Sequence, residues 1–210
     1  MSPARGRFIV LEGGEGAGKS TQMPRLIRWL EQRGRRVLGT REPGGTPEAE
    51  RIRELLLQSP ADSIDATSES LLVFAARSLH LRQRVLPALE AGCDVVSDRF
   101  VDASYAYQGA GRGVPQEQLA ALEHWVCADL RPDLVLIFDI APRAGRARAA
   151  ARSAADRFEQ EDIAFAERVR RCYLDRARQD PARYAVLDAA SDPAALWQQI
   201  AQVLEERLDG

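Results

Sequence analysis

The stretch from Phe8 to Gln22, FIVLEGGEGAGKSTQ, decides the fold. An apolar run of strand length, Arg7–Glu12, runs into a glycine-rich turn, and a stretch of helical periodicity, Gln22–Gln32, follows it. The turn itself, GGEGAGKS from Gly13 to Ser20, fits G-x-x-x-x-G-K-[ST] in the strand–turn–helix setting that this pattern requires. Glycines let the backbone wrap so that successive N–H groups point inward at phosphate oxygens, and the start of the helix adds the positive end of its dipole. Gly13, Gly14, Glu15, Gly16, Ala17, Gly18, Lys19, Ser20 and Thr21 are therefore the candidate cradle for ATP. Lys19 is expected on the β- and γ-phosphates, and the Ser20 hydroxyl on Mg²⁺.

Lys19 is the only lysine of the chain, arginine takes its place everywhere else, and asparagine does not occur. At most solvated positions Lys and Arg exchange at little cost, so a retained lysine marks a place where geometry forbids the exchange. A phosphate ringed by backbone donors leaves a narrow slot that suits a compact charge on a flexible stem. A planar guanidinium is wider and needs its fork satisfied.

The 210 residues, 45% hydrophobic and 29% charged, describe a globular chain long enough to bury a core without disulfides. A formal net charge of -2 offers no global basic field for nucleic acid. Cys93, Cys127 and Cys172 are scattered, and neither they nor His80 and His124 show metal-ligand spacing, which fits idle thiols in a reducing compartment. The first apolar run leads straight into glycines and reads as neither signal peptide nor membrane span. A cytoplasmic protein is expected, with neither nucleic acid nor membrane as partner.

Further strand-length runs occur at Arg36–Thr40, Asp94–Asp98, Asp133–Asp139 and Tyr184–Asp188. Helical periodicity marks Ser68–Ala91, Gln116–Ala128, Ile163–Arg178 and Pro193–Leu208. Strands alternating with helices predict a single α/β domain over 1–210, of three-layer P-loop type, with a five-stranded parallel sheet covered on both faces. Ligands of such sheets sit at the carboxyl ends of the strands. A GTPase needs an Asn-Lys-x-Asp guanine reader, which a chain without asparagine or a second lysine cannot supply. TREPGGTP (Thr40–Pro47) puts Arg41 at the end of the second strand, and SDRF (Ser97–Phe100) puts Asp98 and Arg99 at the end of the third. Two arginines on the same edge as the phosphate loop suit a second, phosphate-bearing substrate held by forked, charge-assisted hydrogen bonds.

The strings LEGGEGAGKST, TREPGGTP, FAAR, DRF followed by AYQGAGRG, and RPDL together resemble the bacterial thymidylate kinases, from about Arg7 through Arg157. The resemblance implies transfer of the γ-phosphoryl of ATP to dTMP, in dTTP synthesis, with Mg²⁺ as cofactor and a homodimer as the assembly. It implies that Glu15 binds the 3′-hydroxyl of the acceptor, that Arg41 and Arg99 hold its phosphate, and that Asp98 lies near Mg²⁺ and the transferring group. Phe74 on its own reads as a core residue of a long helix. The resemblance makes it a platform for thymine, with Arg77 on the base edge. Ser104 and Gln108 match positions around that edge, and Tyr107 an aromatic against the sugar that disfavours a 2′-hydroxyl. Phe100 and Ala103 depart from the family's more frequent residues and leave base preference open.

Members of this family supply a transition-state arginine either from the phosphate loop or from a lid. Gly16 rules out the first route here. The Ala/Arg-rich run Arg143–Arg157, which supplies Arg146, Arg148, Arg152 and Arg157, is expected to be a mobile lid, with Arg148 and Arg152 as first candidates and Arg157 next. Two other readings stand beside this one: a kinase preferring another monophosphate such as dUMP, and an ATP-driven switch without a second substrate.

Overall fold

The computed structural model describes residues 5–60, 63–151, 157–158 and 161–208. Strands β1 (Phe8–Gly13), β2 (Val37–Arg41), β3 (Asp94–Asp98), β4 (Leu134–Asp139) and β5 (Tyr184–Asp188) pair in the order β2-β3-β1-β4-β5. Every pairing is parallel. The five-stranded parallel sheet expected from the sequence is thus the one observed, with strand ends within a residue of those read from the apolar runs.

Buried on both sides, β1 carries no polar–apolar alternation. The pleat still divides its residues. Phe8 and Val10 join a core with Phe74, Leu119, Val169 and Tyr173, while Ile9 and Leu11 join the opposite core with Leu26, Trp29, Ile200 and Leu204. The first layer comes from α3 (Ala66–His80), α6 (Gln116–Cys127) and α8 (Ile163–Gln179), the second from α1 (Lys19–Gln32) and α9 (Pro193–Leu208). Register brings Leu11 and Arg41 each opposite Asp98, and Gly13 opposite Phe138, so the carboxyl ends of β2, β3, β1 and β4 share one edge.

Two helical features differ from expectation. Pro47–Gln58 forms α2, a helix the periodicity did not reveal. Its start is coded locally: the Thr46 hydroxyl accepts from Ala49 N, Pro47 opens the first turn, and Glu48 and Glu50 face the helix dipole. The single helix expected over Ser68–Ala91 is instead α3, a π-helical segment at Leu81–Val85 and a short α4 (Leu86–Glu90). Pro87 lacks an N–H and its ring crowds the carbonyl four residues back, and the wider π turn just upstream absorbs the conflict. After β3 the chain forms α5 (Val101–Ser104), which continues as a second π-helical segment, Tyr105–Gly111, and α7 (Pro142–Ala150) follows β4. Among the described residues no helix is long and apolar enough to cross a membrane.

Candidate active site

The loop after β1 turns into α1 at Lys19, whose side chain folds back over it. Lys19 Nζ donates to the carbonyls of Gly13 at 3.0 Å and Gly14 at 3.2 Å, and lies 4.0 Å from Asp98 Oδ1. Burial first, and then the Arg99 charge, push the Lys19 pKa down, so a phosphate brought to this ammonium relieves an unfavourable environment. Gly16 has φ 70°, and a Cβ there would stand 1.9 Å from the Gly145 carbonyl oxygen. Only glycine allows α7 to lie this close to the loop.

Arg99 follows β3 with φ 75°, a left-handed conformation rare for a residue with a side chain. It lets the guanidinium turn back over the phosphate loop. Arg99 donates to Gly13 O at 3.1 Å, to the Tyr173 hydroxyl at 3.1 Å and to Glu15 Oε1, and its Cζ stacks 4.8 Å from the centre of the Tyr107 ring. Tyr107 donates its hydroxyl proton to Glu15 Oε1 at 3.1 Å. Burial works against the Glu15 charge, but the cations of Arg99 and Lys19 outweigh it and hold the carboxyl down at about 2.

Beneath this pair sits Glu12, which shares its side of β1 with Phe8 and Val10. Its Oε1 accepts from Phe100 N at 2.8 Å and Ala103 N at 3.2 Å, and its Oε2 from the Tyr173 hydroxyl at 2.8 Å. Burial, seconded by Asp102, raises its pKa to about 8. The sequence marks Glu12 only as a carboxylate at the end of a strand, just before the glycine-rich turn, and gives no sign of Tyr173. Together they brace the turn that carries Arg99.

Arg77 is fully buried and satisfied by protein groups: Nε donates to Glu42 Oε2 at 2.7 Å, Nη1 to Ser104 Oγ at 3.0 Å, and Nη2 to Phe100 O at 2.9 Å. The other oxygen of Glu42 meets His80 Nδ1 at 2.9 Å, and His80 Nε2 meets Thr40 Oγ1 at 2.6 Å. Glu42 lies in the REPGG string, one residue past the arginine that drew attention to it.

A cavity of about 160 Å³ brings most of the sequence candidates together. Glu15, Lys19, Arg41, Arg77, Asp98, Arg99, Ser104, Tyr107 and Gln108 line it, with Glu42, Arg53, Val73 and Phe158 unforeseen. Arg41 is half exposed there and paired with Glu50 at 2.8 Å. Phe74 is not among the lining residues. It is 2% exposed in the core, with the Arg77 guanidinium 4.5 Å from its ring centre, and its neighbour Val73 lines the cavity.

The arginines expected in a lid stand elsewhere. α7 turns Gly145 and Ala149 into the protein, which leaves Arg146 and Arg148 on opposite flanks at 100° per residue. Arg146 donates to Glu161 O. Arg148 donates to Ala189 O at 2.7 Å and Ala190 O at 2.8 Å, and borders a hollow with Gly16, Ala17, Gly18, Thr21 and Pro193 that Asp98 does not line. Arg157 is buried against Glu69 and Ile64. None of these three lines the cavity of Lys19 and Asp98. Arg152 lies outside the described residues.

Asp98 Oδ1 is buried and has no hydrogen-bond partner among the described residues. Ser20, in the first turn of α1, opens onto the same cleft. A carboxylate oxygen without a hydrogen bond, on the same cleft as a hydroxyl, fits a hard divalent cation that keeps most of its ligands from water and phosphate.

A model of the family described as thymidylate kinase matches residues 11–200. The chain belongs to the thymidylate kinase family. It is 54% identical over 204 residues to the thymidylate kinase of Pseudomonas syringae pv. tomato, covering 97% of both chains. It is 51% identical over 201 residues to that of Alcanivorax borkumensis, covering 96% of this chain and 97% of the relative. The crystal structure of thymidylate kinase from Ehrlichia chaffeensis superimposes with a TM-score of 0.79 at 31% identity, over 96% of this chain and 99% of that one. As a member of the thymidylate kinase family the chain is a kinase that phosphorylates dTMP to dTDP with ATP.

Proposed function

We propose that the γ-phosphoryl of ATP passes in line to the 5′-phosphate of dTMP inside the cavity shared by Lys19, Arg41, Arg77 and Arg99. The observation that carries this reading is that donor-side and acceptor-side candidates line one cavity, although they come from the loop after β1, from α1, β2, α3 and β3 and from the segments after it. Lys19 exchanges its two carbonyl contacts for phosphate oxygens. Arg41 and Arg99 grip the acceptor phosphate, and Glu15 holds Arg99 in line while remaining ionised. An acceptor phosphate is already anionic at neutral pH, so positioning and charge stabilisation carry the rate without a strong general base. Mg²⁺, when bound, neutralises charge on the β- and γ-oxygens. Ser20 and Asp98 are the residues that would hold it. Arg146 and Arg148 belong in this reading to a lid at about 143–157, with Arg148 on the ATP side of the loop, and Arg152 keeps the transition-state role expected from the sequence.

Ser104 and Gln108 read the base edge beside Arg77, and Val73 supplies the apolar wall nearest to Phe74. We place the protein in the cytoplasm and read it as a homodimer. Leu71 on α3 and Trp125 on α6, 52% and 81% exposed, give the two helices an apolar face that favours self-association. The test is ADP release with Mg·ATP and each nucleoside monophosphate in turn. Turnover that depends on dTMP is expected, and ADP release indifferent to every monophosphate would overturn the reading.

A further inference from the structure

Glu69 lies in the first turn of α3, fully buried, with no part in the phosphate chemistry. Its Oε1 accepts from Gln108 Nε2 at 2.9 Å. Its Oε2 faces Arg157 Nη1 at 3.0 Å and Arg112 Nε at 3.5 Å. Arg157 is tied down by donating to Ile64 O at 3.0 Å, and Arg112 by Glu161 Oε1 at 2.6 Å. A guanidinium only donates, so the Glu69 carboxylate stands in this cluster as an acceptor. That settles which way the Gln108 amide turns. Its NH₂ must face Glu69, and its carbonyl oxygen is the group left for the cavity that Gln108 lines.

We propose that Glu69 is a positioning residue for base selection: by fixing the Gln108 amide it presents a hydrogen-bond acceptor to the nucleobase, and so admits bases with a ring N–H and rejects those with a ring-nitrogen lone pair. This rests on the reading of the cavity as the monophosphate site. Thymine and uracil carry N3–H and meet the Gln108 oxygen as donors. Cytosine brings a lone pair at N3, which sets two acceptors against each other. Sites built around a buried hydrogen bond reject the mismatched partner by roughly 10²-fold or more.

The test is Glu69→Gln. A glutamine there turns its oxygen to Arg157 and Arg112 and its NH₂ to Gln108, whose amide must rotate and offer its own NH₂ to the cavity. The polarity of the reader is thereby reversed. We expect kcat/KM for dTMP and dUMP to fall together and that for dCMP to rise, shrinking the dTMP/dCMP ratio by about 10²-fold, with the KM for ATP within about threefold of the unaltered enzyme. An unchanged dTMP/dCMP ratio in the folded variant overturns the role of Glu69 and leaves the cavity assignment standing. An unaltered enzyme that does not distinguish dTMP from dCMP overturns the cavity assignment and this proposal with it. Should Glu69→Gln fail to fold, a crystal structure of the unaltered enzyme with dTMP decides. Gln108 bridging Glu69 and thymine N3 is expected, and Gln108 turned away from Glu69 overturns the proposal.

Discussion

Gly16 and Gly145 meet backbone to backbone: a Cβ on Gly16 would stand 1.9 Å from the Gly145 oxygen, and one on Gly145 would stand 2.4 Å from the Glu15 oxygen. Neither obstacle is the end of a flexible side chain, so any added methyl must push α7 off the phosphate loop. Gly145→Ala is expected to raise the KM for ATP about tenfold and to lower the thermal midpoint by several degrees, the penalty for overpacking a close contact. Gly14→Ala serves as the stability control, because nothing stands within 4 Å of its Cβ position. Equal midpoints for the two variants would show that the contact matters little.

Lys19→Arg is expected to fold with an unchanged thermal midpoint and to lose about 10²-fold or more of kcat, since the slot between the Gly13 and Gly14 carbonyls and Asp98 suits an ammonium and not a fork. Steady-state kinetics beside a melting curve separate the two effects. Near-normal turnover would sink this account of the lone lysine.

Arg77→Ala does more than delete a base contact. It leaves Glu42 buried with only His80 beside it, and breaking a buried pair from one side costs about 3–5 kcal/mol. Denaturant unfolding should show that loss. A variant as stable as the parent would mean that Glu42 finds another partner. Activity lost in Arg77→Ala therefore identifies a base reader only when it is measured well below the variant's own melting temperature.

Two carboxyls on β1 and its loop give opposite pH dependences. Glu15 has its pKa lowered from 4.5 to about 2, so the native state binds fewer protons than the unfolded chain. Its stabilisation is present above pH 4.5 and is lost as the pH falls toward 2. Glu12 has its pKa raised from 4.5 to about 8, so the native state keeps a proton that the unfolded chain gives up. Its contribution is full below pH 4.5 and declines as the pH rises to 8. Glu12→Gln can keep its oxygen on Phe100 N and Ala103 N and donate its NH₂ to the Tyr173 hydroxyl, and it should flatten the stability profile between pH 5 and 8. Chemical unfolding across that range measures it, and parallel profiles for the two proteins would contradict the burial argument.

Arg148→Ala is expected to raise the KM for ATP with little change in the KM for dTMP, because its guanidinium caps the Ala189 and Ala190 carbonyls beside Gly16–Gly18 and not the acceptor cavity. A selective rise in the dTMP KM would place it on the wrong side of the loop.

The strands were legible because a sheet covered on both faces writes itself as uninterrupted apolar runs, and the phosphate loop because its spacing is local. Arg41 and Asp98 could be placed on one edge from strand ends alone. What escaped notice depends on contacts made across long stretches of chain. Glu12 and Tyr173 are 161 residues apart, and Glu69 and Gln108 are 39 apart. A lone glutamate on a helix gives no sign of which amide it will fix. For Arg148 the residue type was informative, but the flank of α7 it occupies depends on Gly145 seating on the loop. The start of α2 was readable in Thr46–Pro47 all the same, since a cap and a proline at the first turn need no tertiary partner.

The position of β1 in the sheet sets an order of events during synthesis. The strand that carries the phosphate loop is the first to leave the ribosome, yet it lies in the middle, hydrogen-bonded to β3 on one side and β4 on the other. Its neighbours end at Asp98 and Asp139. Until residue 139 has emerged, β1 lacks one of its two neighbours, and a nascent chain cut short before that point carries the phosphate-loop signature on a sheet whose centre is incomplete.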